Sequence, residues 1–286
     1  MRRFFRVVAT LLLLSAAAAA QEKEPETWGA YVNRGIERAK KGDLDGAIAD
    51  YDRAIILNPA DASTYTHRGA AKGRKGDLGG SLADFQMAIT LDPNNANAYY
   101  NRGLTLGKKG DEDGALNDYN VAISLDPKHA AAYNARAFIR AKRGDLAGAI
   151  ADYDKILAVN PNAAEIYSNR GIARNALGDY DGAIADYDKA IALKPDYAYA
   201  YNNRGNTKGK KGDDDGAIAD FNKAISLVPN FPAAIANRGL AELSKGMDRE
   251  AQEDFRKAID LSARLKPMIE KESAKILEKR KAQQKP

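Results

Sequence analysis

Residues 164–197 read AEIYSNRGIARNALGDYDGAIADYDKAIALKPDY, and most of the chain is variations on this stretch. Its second half places Ala183, Ile184, Tyr187, Ala190 and Ile191 at steps of one, three or four, which paints one apolar stripe along an α-helix. Its first half predicts another helix over positions 2 to 14 of the stretch, ended by Gly178, the residue type that tolerates a left-handed helix stop. Asp179 follows and can cap the next helix. Arg170 recurs as Arg34, Arg68, Arg102, Arg136, Arg204 and Arg238, each 34 residues from the next. Asp186 recurs on the same period from Asp50 to Asp254. A fixed period of that length marks a stacked helical array, whose units bury their apolar faces only against one another.

Pro59, Pro93, Pro127, Pro161, Pro195 and Pro229 set the register. With each at position 32, the units run 28–61, 62–95, 96–129, 130–163, 164–197, 198–231 and 232–265. Position 4 is then Tyr in six units and Ile235 in the last, and position 8 is Gly except for Ala137. Position 20 is small, position 24 is Tyr or Phe, and position 27 is Ala except for Ile156. Glycine inside a helix costs about 1 kcal/mol, so position 8 calls for a packing reason, read here as small residues on a closely approaching helix. Gly stands at position 15 of every unit, from Gly42 to Gly246, and Asp follows in six of seven. These positions resemble the tetratricopeptide repeat over residues 28–265. The resemblance implies an all-α fold, a right-handed superhelical α-solenoid of seven antiparallel helix pairs plus a C-terminal capping helix, whose work is binding.

The ends read differently. Residues 1–20 combine Arg2, Arg3 and Arg6 with an uncharged run and Ala18, Ala19 and Ala20, the pattern of a cleavable signal peptide too short to span a membrane. The expectation is export, to the periplasm or beyond the cell, with residues 21–27 an acidic linker. The chain has no cysteine, so no disulfide supports the array. Of the net charge of +5, three positive charges lie in the signal, and residues 264–286 hold eight positive against three negative. The repeats carry 33 positive and 33 negative residues, Arg264 counted with the last of them, which argues against a nucleic-acid partner. Unit 7 departs from the others through Ile235, Met247, Gln252 and Ala263, as terminal repeats with an uncovered face do. Pro267 then opens a capping helix over 266–281, with Met268, Ile269, Ile276 and Leu277 on one side and Lys271, Lys275, Lys279 and Arg280 facing water. Weak contact of this basic helix with an anionic membrane surface is the alternative reading. Residues 282–286 read as a disordered tail.

Arg at position 7 replaces the Leu usual in the family, and its count matches that of Asp at position 23. This predicts an ion pair in which the Arg stem lies on the helix interface and the guanidinium meets an Asp of the same or an adjacent unit. A row of ligand-binding arginines is the alternative. Asp188, two residues beyond Asp186, reads as a surface residue.

In the family the inner face of the superhelix is built by the first helix of each unit at positions 2, 5, 6, 9, 12 and 13. Carried over, the resemblance puts Tyr100, Asn101, Leu104 and Lys108; Asn134, Phe138 and Lys142; Ser168, Asn169, Ile172 and Asn175; and Tyr199, Asn202, Asn203, Asn206 and Lys210 in a ligand-binding concave groove. Asn recurs at position 6 in five units, and an amide that both donates and accepts suits a peptide backbone. Gly73, Gly107 and Gly209 at position 12 would deepen the groove. Lys40, Arg74, Lys108, Lys142 and Lys210 at position 13 are read either as partners of helix dipoles or as contacts for an acidic ligand. The carboxylate clamp of chaperone-binding members needs Lys at position 5, where this chain has Val32, Thr66, Tyr100, Asn134, Ser168, Asn202 and Ala236.

No catalytic, cofactor or metal site is expected. His67 and His129 are the only histidines, and no cysteine can act as nucleophile or ligand. Gly103–Lys108 lacks the spacing of a phosphate loop, and Asp213–Gly216 lacks the acids that a calcium loop needs before and after it. The expected function is a non-catalytic interaction scaffold of the cell envelope that holds a peptide or protein segment. The alternative is a glycan- or polymer-binding module of the envelope or secretion machinery that uses Tyr100, Phe138 and Tyr199 as stacking platforms.

Overall fold

A computed structural model describes residues 27–283, so the expected signal peptide, most of the linker and residues 284–286 lie outside the described residues. The chain forms two compact units, one ending at Asp118 and the other beginning at Tyr119. The first contains α1 (Trp28–Lys40), α2 (Leu44–Leu57), α3 (Ala62–Lys75), α4 (Leu78–Leu91), α5 (Ala96–Lys108) and the start of α6 (Glu112–Leu125). The second holds the rest of α6, then α7 (Ala130–Lys142), α8 (Leu146–Val159), α9 (Ala164–Leu177), α10 (Tyr180–Leu193), α11 (Ala198–Lys210), α12 (Asp214–Leu227), α13 (Pro232–Ser244), α14 (Asp248–Leu261) and α15 (Lys266–Gln283). Within each unit the helices pack in consecutive pairs, and each second helix also packs on the first helix that follows it. No strand occurs among the described residues, so each unit is an α-solenoid segment.

The pairs are made by the expected local chemistry. All seven position-15 glycines, Gly42 through Gly246, have φ between +83° and +93°, a conformation that costs an L-residue about 1–2 kcal/mol. The next residue caps the second helix. Asp43, Asp77, Asp111, Asp145, Asp179 and Asp213 each accept from the backbone N–H three residues on, at 2.8–3.0 Å. Met247 makes no such cap in the last repeat. At position 8 the expectation of small neighbours is corrected. A Cβ on Gly35, Gly69, Gly171, Gly205 or Gly239 would meet a ring carbon of Tyr51, Phe85, Tyr187, Phe221 or Phe255 at 2.6–2.9 Å. The glycine makes room for the buried aromatic at position 24, which fills the space between paired helices.

The Arg–Asp pairing holds within each repeat. Each position-7 guanidinium straddles the nearly buried Asp of its own unit through two donors, as in Arg34–Asp50 and Arg102–Asp118 in the first unit and Arg170–Asp186 and Arg204–Asp220 in the second. Two further contacts escaped sequence reasoning. The remaining guanidinium nitrogen reaches back to position 25 of the preceding repeat: Asp52 and Gln86 in the first unit, and Asn120, Asp154, Asp188 and Asn222 in the second. Asp188 is therefore not a bare surface residue, since it accepts from Arg204 at 2.5 Å. In five repeats a second cation at position 11 closes on the same buried carboxylate, at 2.8–2.9 Å for Arg38, Lys72, Arg140, Arg174 and Lys208. The ring of the position-4 Tyr lies 5.4–5.5 Å from the guanidinium of six arginines.

The last helix caps the second unit. Ile269 is buried in a cluster with Ile235, Leu243, Phe255 and Ala258, and Met268 and Ile276 pack against it. Two details differ from expectation. The helix continues through Gln283, so 282–283 are not tail. Arg280 does not face water: its Nη1 donates to Leu243 O at 3.1 Å and pairs with Asp248 at 2.5 Å. A carbonyl at the C-terminal end of α13, which also accepts from Gly246 N, and the acid opening α14 draw it back onto the array.

Candidate functional site

The first helices carry every proposed groove residue, and each unit presents its own portion. In the first unit Tyr100 and Leu104 are half-buried on α5, and burial pushes the Tyr100 phenol above its ordinary range. Asn101 is half-buried, and its Nδ2 donates to Asn97 O at 2.8 Å, one turn back on its own helix. Lys108 is exposed but reaches Gly73 O at 3.4 Å, and Arg74 donates to Ala39 O at 2.9 Å in the same manner. Lys108 and Arg74 thus reach end carbonyls of the preceding first helix, which supports the helix-dipole reading for these two with the neighbour's helix as the target, whereas Lys40 pairs with Glu37 on its own helix. The glycines at position 12 are also reassigned. A Cβ on Gly73 would touch Ser81 Oγ at 3.0 Å, and those on Gly107 and Gly209 would approach Ala115 and Ala217. These positions face the second helix of their own repeat, so they allow close helix packing and do not deepen a groove.

In the second unit the candidates divide. Phe138 on α7 is 67% exposed and Ile172 on α9 is 48% exposed. They hold the same position 9 on successive first helices, whose inner sides share a core of Tyr133, Ala137, Tyr153, Ile156 and Ala173. One turn N-terminal to position 9, Asn169 and Asn203 stand half-buried at position 6, while Asn134 is half-buried at position 5 and Asn206 exposed at position 9. Lys142 and Lys210 are exposed, and Lys210 donates to Asn175 Oδ1 at 3.1 Å across one repeat.

Ser168 and Asn202, both at position 5, are corrected. They are buried, and Asn202 is consumed by its neighbours, accepting from Asn237 Nδ2 at 3.1 Å and donating to Asn203 Oδ1 at 3.3 Å. Position 5 is rotated toward the next repeat, so its side chain joins two first helices. Tyr199, 62% exposed, belongs to a different place. Its ring meets Phe231 edge-on at 5.0 Å, and with Val228, Pro232 and Leu265 it lines a recess of about 340 Å³ along the inter-repeat turns. That recess arises where Val228 and Phe231 replace polar turn residues such as Asn58 and Asp61, and α13 accordingly starts without a side-chain cap.

A family profile described as TPR repeat matches residues 35–76, 74–110, 139–178 and 173–212, and profiles described as Tetratricopeptide repeat match 96–129, 198–231 and 232–264. No curated protein matches the chain. Among solved structures, a tetratricopeptide repeat protein from Parabacteroides merdae is 23% identical, with a TM-score of 0.62 over 88% of this chain and all of that one. The structure of MamA is 31% identical with a TM-score of 0.53, over 57% of this chain and 95% of its own. YrrB, described as a TPR protein with an unusual peptide-binding site, is 23% identical with a TM-score of 0.58, over 65% of this chain and 95% of its own. With more than half of its residues matched to the repeat, and with helix pairs, glycine stops and position-24 aromatics falling on one 34-residue frame, the chain belongs to the tetratricopeptide repeat family.

Proposed function

We propose that this protein is a non-catalytic scaffold of the cell envelope, and that its second unit holds a peptide or protein segment against the first-helix face formed by α7, α9 and α11. One observation carries the reading: Phe138 and Ile172 stay exposed at the same position of adjacent repeats although nearly all other repeat positions of their type are covered or polar. Large apolar side chains held on a rigid helical face, with amides beside them, are the usual anatomy of a recognition surface. Asn169 and Asn206 have no hydrogen-bond partner among the described residues, so their amides can meet a backbone. Family members bind protein or peptide partners, and YrrB carries a peptide-binding site. A photo-crosslinker at position 138, used in intact cells, should capture one dominant protein partner. A crosslinker at exposed Val159, on a second helix, should not. Capture from 159 and not from 138 would reject the assignment.

Export rests on the sequence of residues 1–20. Protein recovered from its native host should begin at Gln21 by mass spectrometry, and an N-terminal Met1 would exclude cleavage. The basic residues Lys271, Lys275 and Lys279 on α15 are the place to look for membrane-surface contact. No helix among the described residues is long and apolar enough to cross a membrane. A second reading, a glycan or polymer ligand, is favoured by the exposed Tyr199 ring beside Phe231 and Tyr197. Soluble wall glycan that protects Tyr199 from chemical modification would support it.

A further inference from the structure

The buried ion ladder is inverted at one place. Position 11 carries the second cation of the ladder in five repeats and Leu106 in the third, but in the last it carries Glu242. This carboxyl is 7% exposed and sits beside Asp254, which is equally buried. Both oxygens of Asp254 are already taken by Arg238, from Nε at 2.7 Å and Nη2 at 2.8 Å. Glu242 Oε1 is left 3.7 Å from that same Nε, too far for a hydrogen bond, and Oε2 is buried with no partner. One guanidinium therefore stands between two buried carboxyls, where five other repeats place two cations on one. The surroundings offer no relief. From α14, Asp254, Glu250 and Glu253 all bear negative charge on Glu242. The α12 side contributes neutral Asn222, which holds the third Arg238 donor, and α11 contributes Lys208, already bound to Asp220. On α15, Arg280 is engaged by Leu243 O and Asp248.

We propose that the last repeat is a proton-operated latch: with Glu242 protonated, α13 closes tightly on α14, and ionisation of Glu242 loosens α13–α15. The neutral acid supplies an O–H donor in place of the absent cation, whereas the carboxylate adds an unpaired buried charge. Burial, and then the Asp254 charge, push the Glu242 carboxyl up to about 7, with Arg238 opposing. The unfolded reference is about 4.3. The folded repeat thus holds a proton that the unfolded segment releases, so its stability falls as pH rises from about 5 to about 7 and levels above that. A terminal repeat has one neighbour, so the loss appears as local opening rather than global unfolding. The latch also reaches the first-helix face, because Asn237 on α13 holds Asn202 on α11.

Amide hydrogen exchange on the full chain at pH 5.5 and 7.5, corrected for intrinsic rates, tests this. Protection of α13–α15 should fall by about ten- to a hundred-fold between the two pH values, a factor of ten for each unit of pKa displacement. Protection of α8–α10 should stay level. Glu242→Gln should abolish the pH dependence and keep the protection seen at low pH, and Glu242→Lys, which restores the cation of the other repeats, should abolish it as well. Either variant suffices if the other fails to fold. Protection independent of pH in the native chain, or the same fall in both variants, would overturn the latch.

Discussion

Replacing Asp186 by alanine is expected to cost about 3–5 kcal/mol of folding stability, the scale for removing one partner of a buried ion pair. Asp186 is nearly buried and accepts from Arg170 Nε at 2.9 Å, Arg170 Nη2 at 2.6 Å and Arg174 Nη1 at 2.9 Å. Alanine would strip two donors of Arg170 and one of Arg174, leaving two part-buried guanidinium groups with only Asp154, Asp179 and Gly182 O to meet them. They cannot escape by losing a proton, because an arginine stays charged throughout the accessible pH range. Two comparisons separate this from a generic effect. Asp188→Ala removes a half-exposed partner of Arg204 and should cost about 0.2–1 kcal/mol. Lys189→Ala alters an exposed side chain and should stay within about 0.5 kcal/mol. Urea titrations with unchanged slopes give all three values. Exchange protection in Asp186→Ala should drop first in α9 and α10, since stability in such arrays is local. Equal midpoints for the Asp186 and Lys189 variants would show that the ladder contributes nothing.

The ladder has a second physical role, seen in how each guanidinium from Arg68 onward divides its donors. Two go to the Asp of its own repeat and one to position 25 of the repeat before, so a single residue ties a helix pair together and joins it to its neighbour. Apolar stripes built from similar Ala, Ile and Tyr residues would tolerate sliding. A three-donor fork with fixed acceptors is far less permissive, and so it specifies register as well as strength.

Much of this fold was legible because its causes are local and periodic. A glycine at position 15, an Asp after it and an apolar stripe beyond it define a helix stop, a cap and a buried face without knowledge of anything distant. What escaped depends on which neighbour a side chain meets. Position 25 holds Asp52, Gln86, Asn120, Asp154, Asp188 and Asn222, so matching charges could not find it, although every one of these supplies a carbonyl or carboxylate oxygen to the same arginine nitrogen. Gly171 reads as a close helix approach, but only the packed structure shows that the approaching group is the Tyr187 ring. The site was legible in part. The position numbers found Phe138, Ile172 and Asn169 on the first-helix face, but they also included Ser168 and Asn202, which burial against adjacent repeats removes. Glu242 could have been noticed as an acid in a column of cations. Its consequence needed the burial and the occupied oxygens of Asp254.

The proposed binding face gives the other large expected effect. Phe138→Ala combined with Ile172→Ala should weaken capture of the crosslinked partner by about a hundred- to a thousand-fold, or about 3–4 kcal/mol for two apolar anchors. Both side chains are exposed in the free protein, so the melting temperature should barely move. The amides should matter less. Asn169→Ala removes hydrogen bonds worth about 0.5–1.5 kcal/mol, roughly two- to fifteen-fold in affinity. Asn203 is the less clean probe, because it accepts from Asn202 and its loss disturbs a contact between first helices. Charge reversal at Lys210 sorts the basic row. If the cation serves only Asn175 and the Tyr180 ring, affinity and its salt dependence stay unchanged; an acidic ligand would lose affinity, and its salt dependence would shrink. A partner that binds the double apolar variant as tightly as the native chain, yet fails against a substitution at Val159, would move the function to the outer face of the second helices, where the exposed Phe138 and Ile172 would have no part in it.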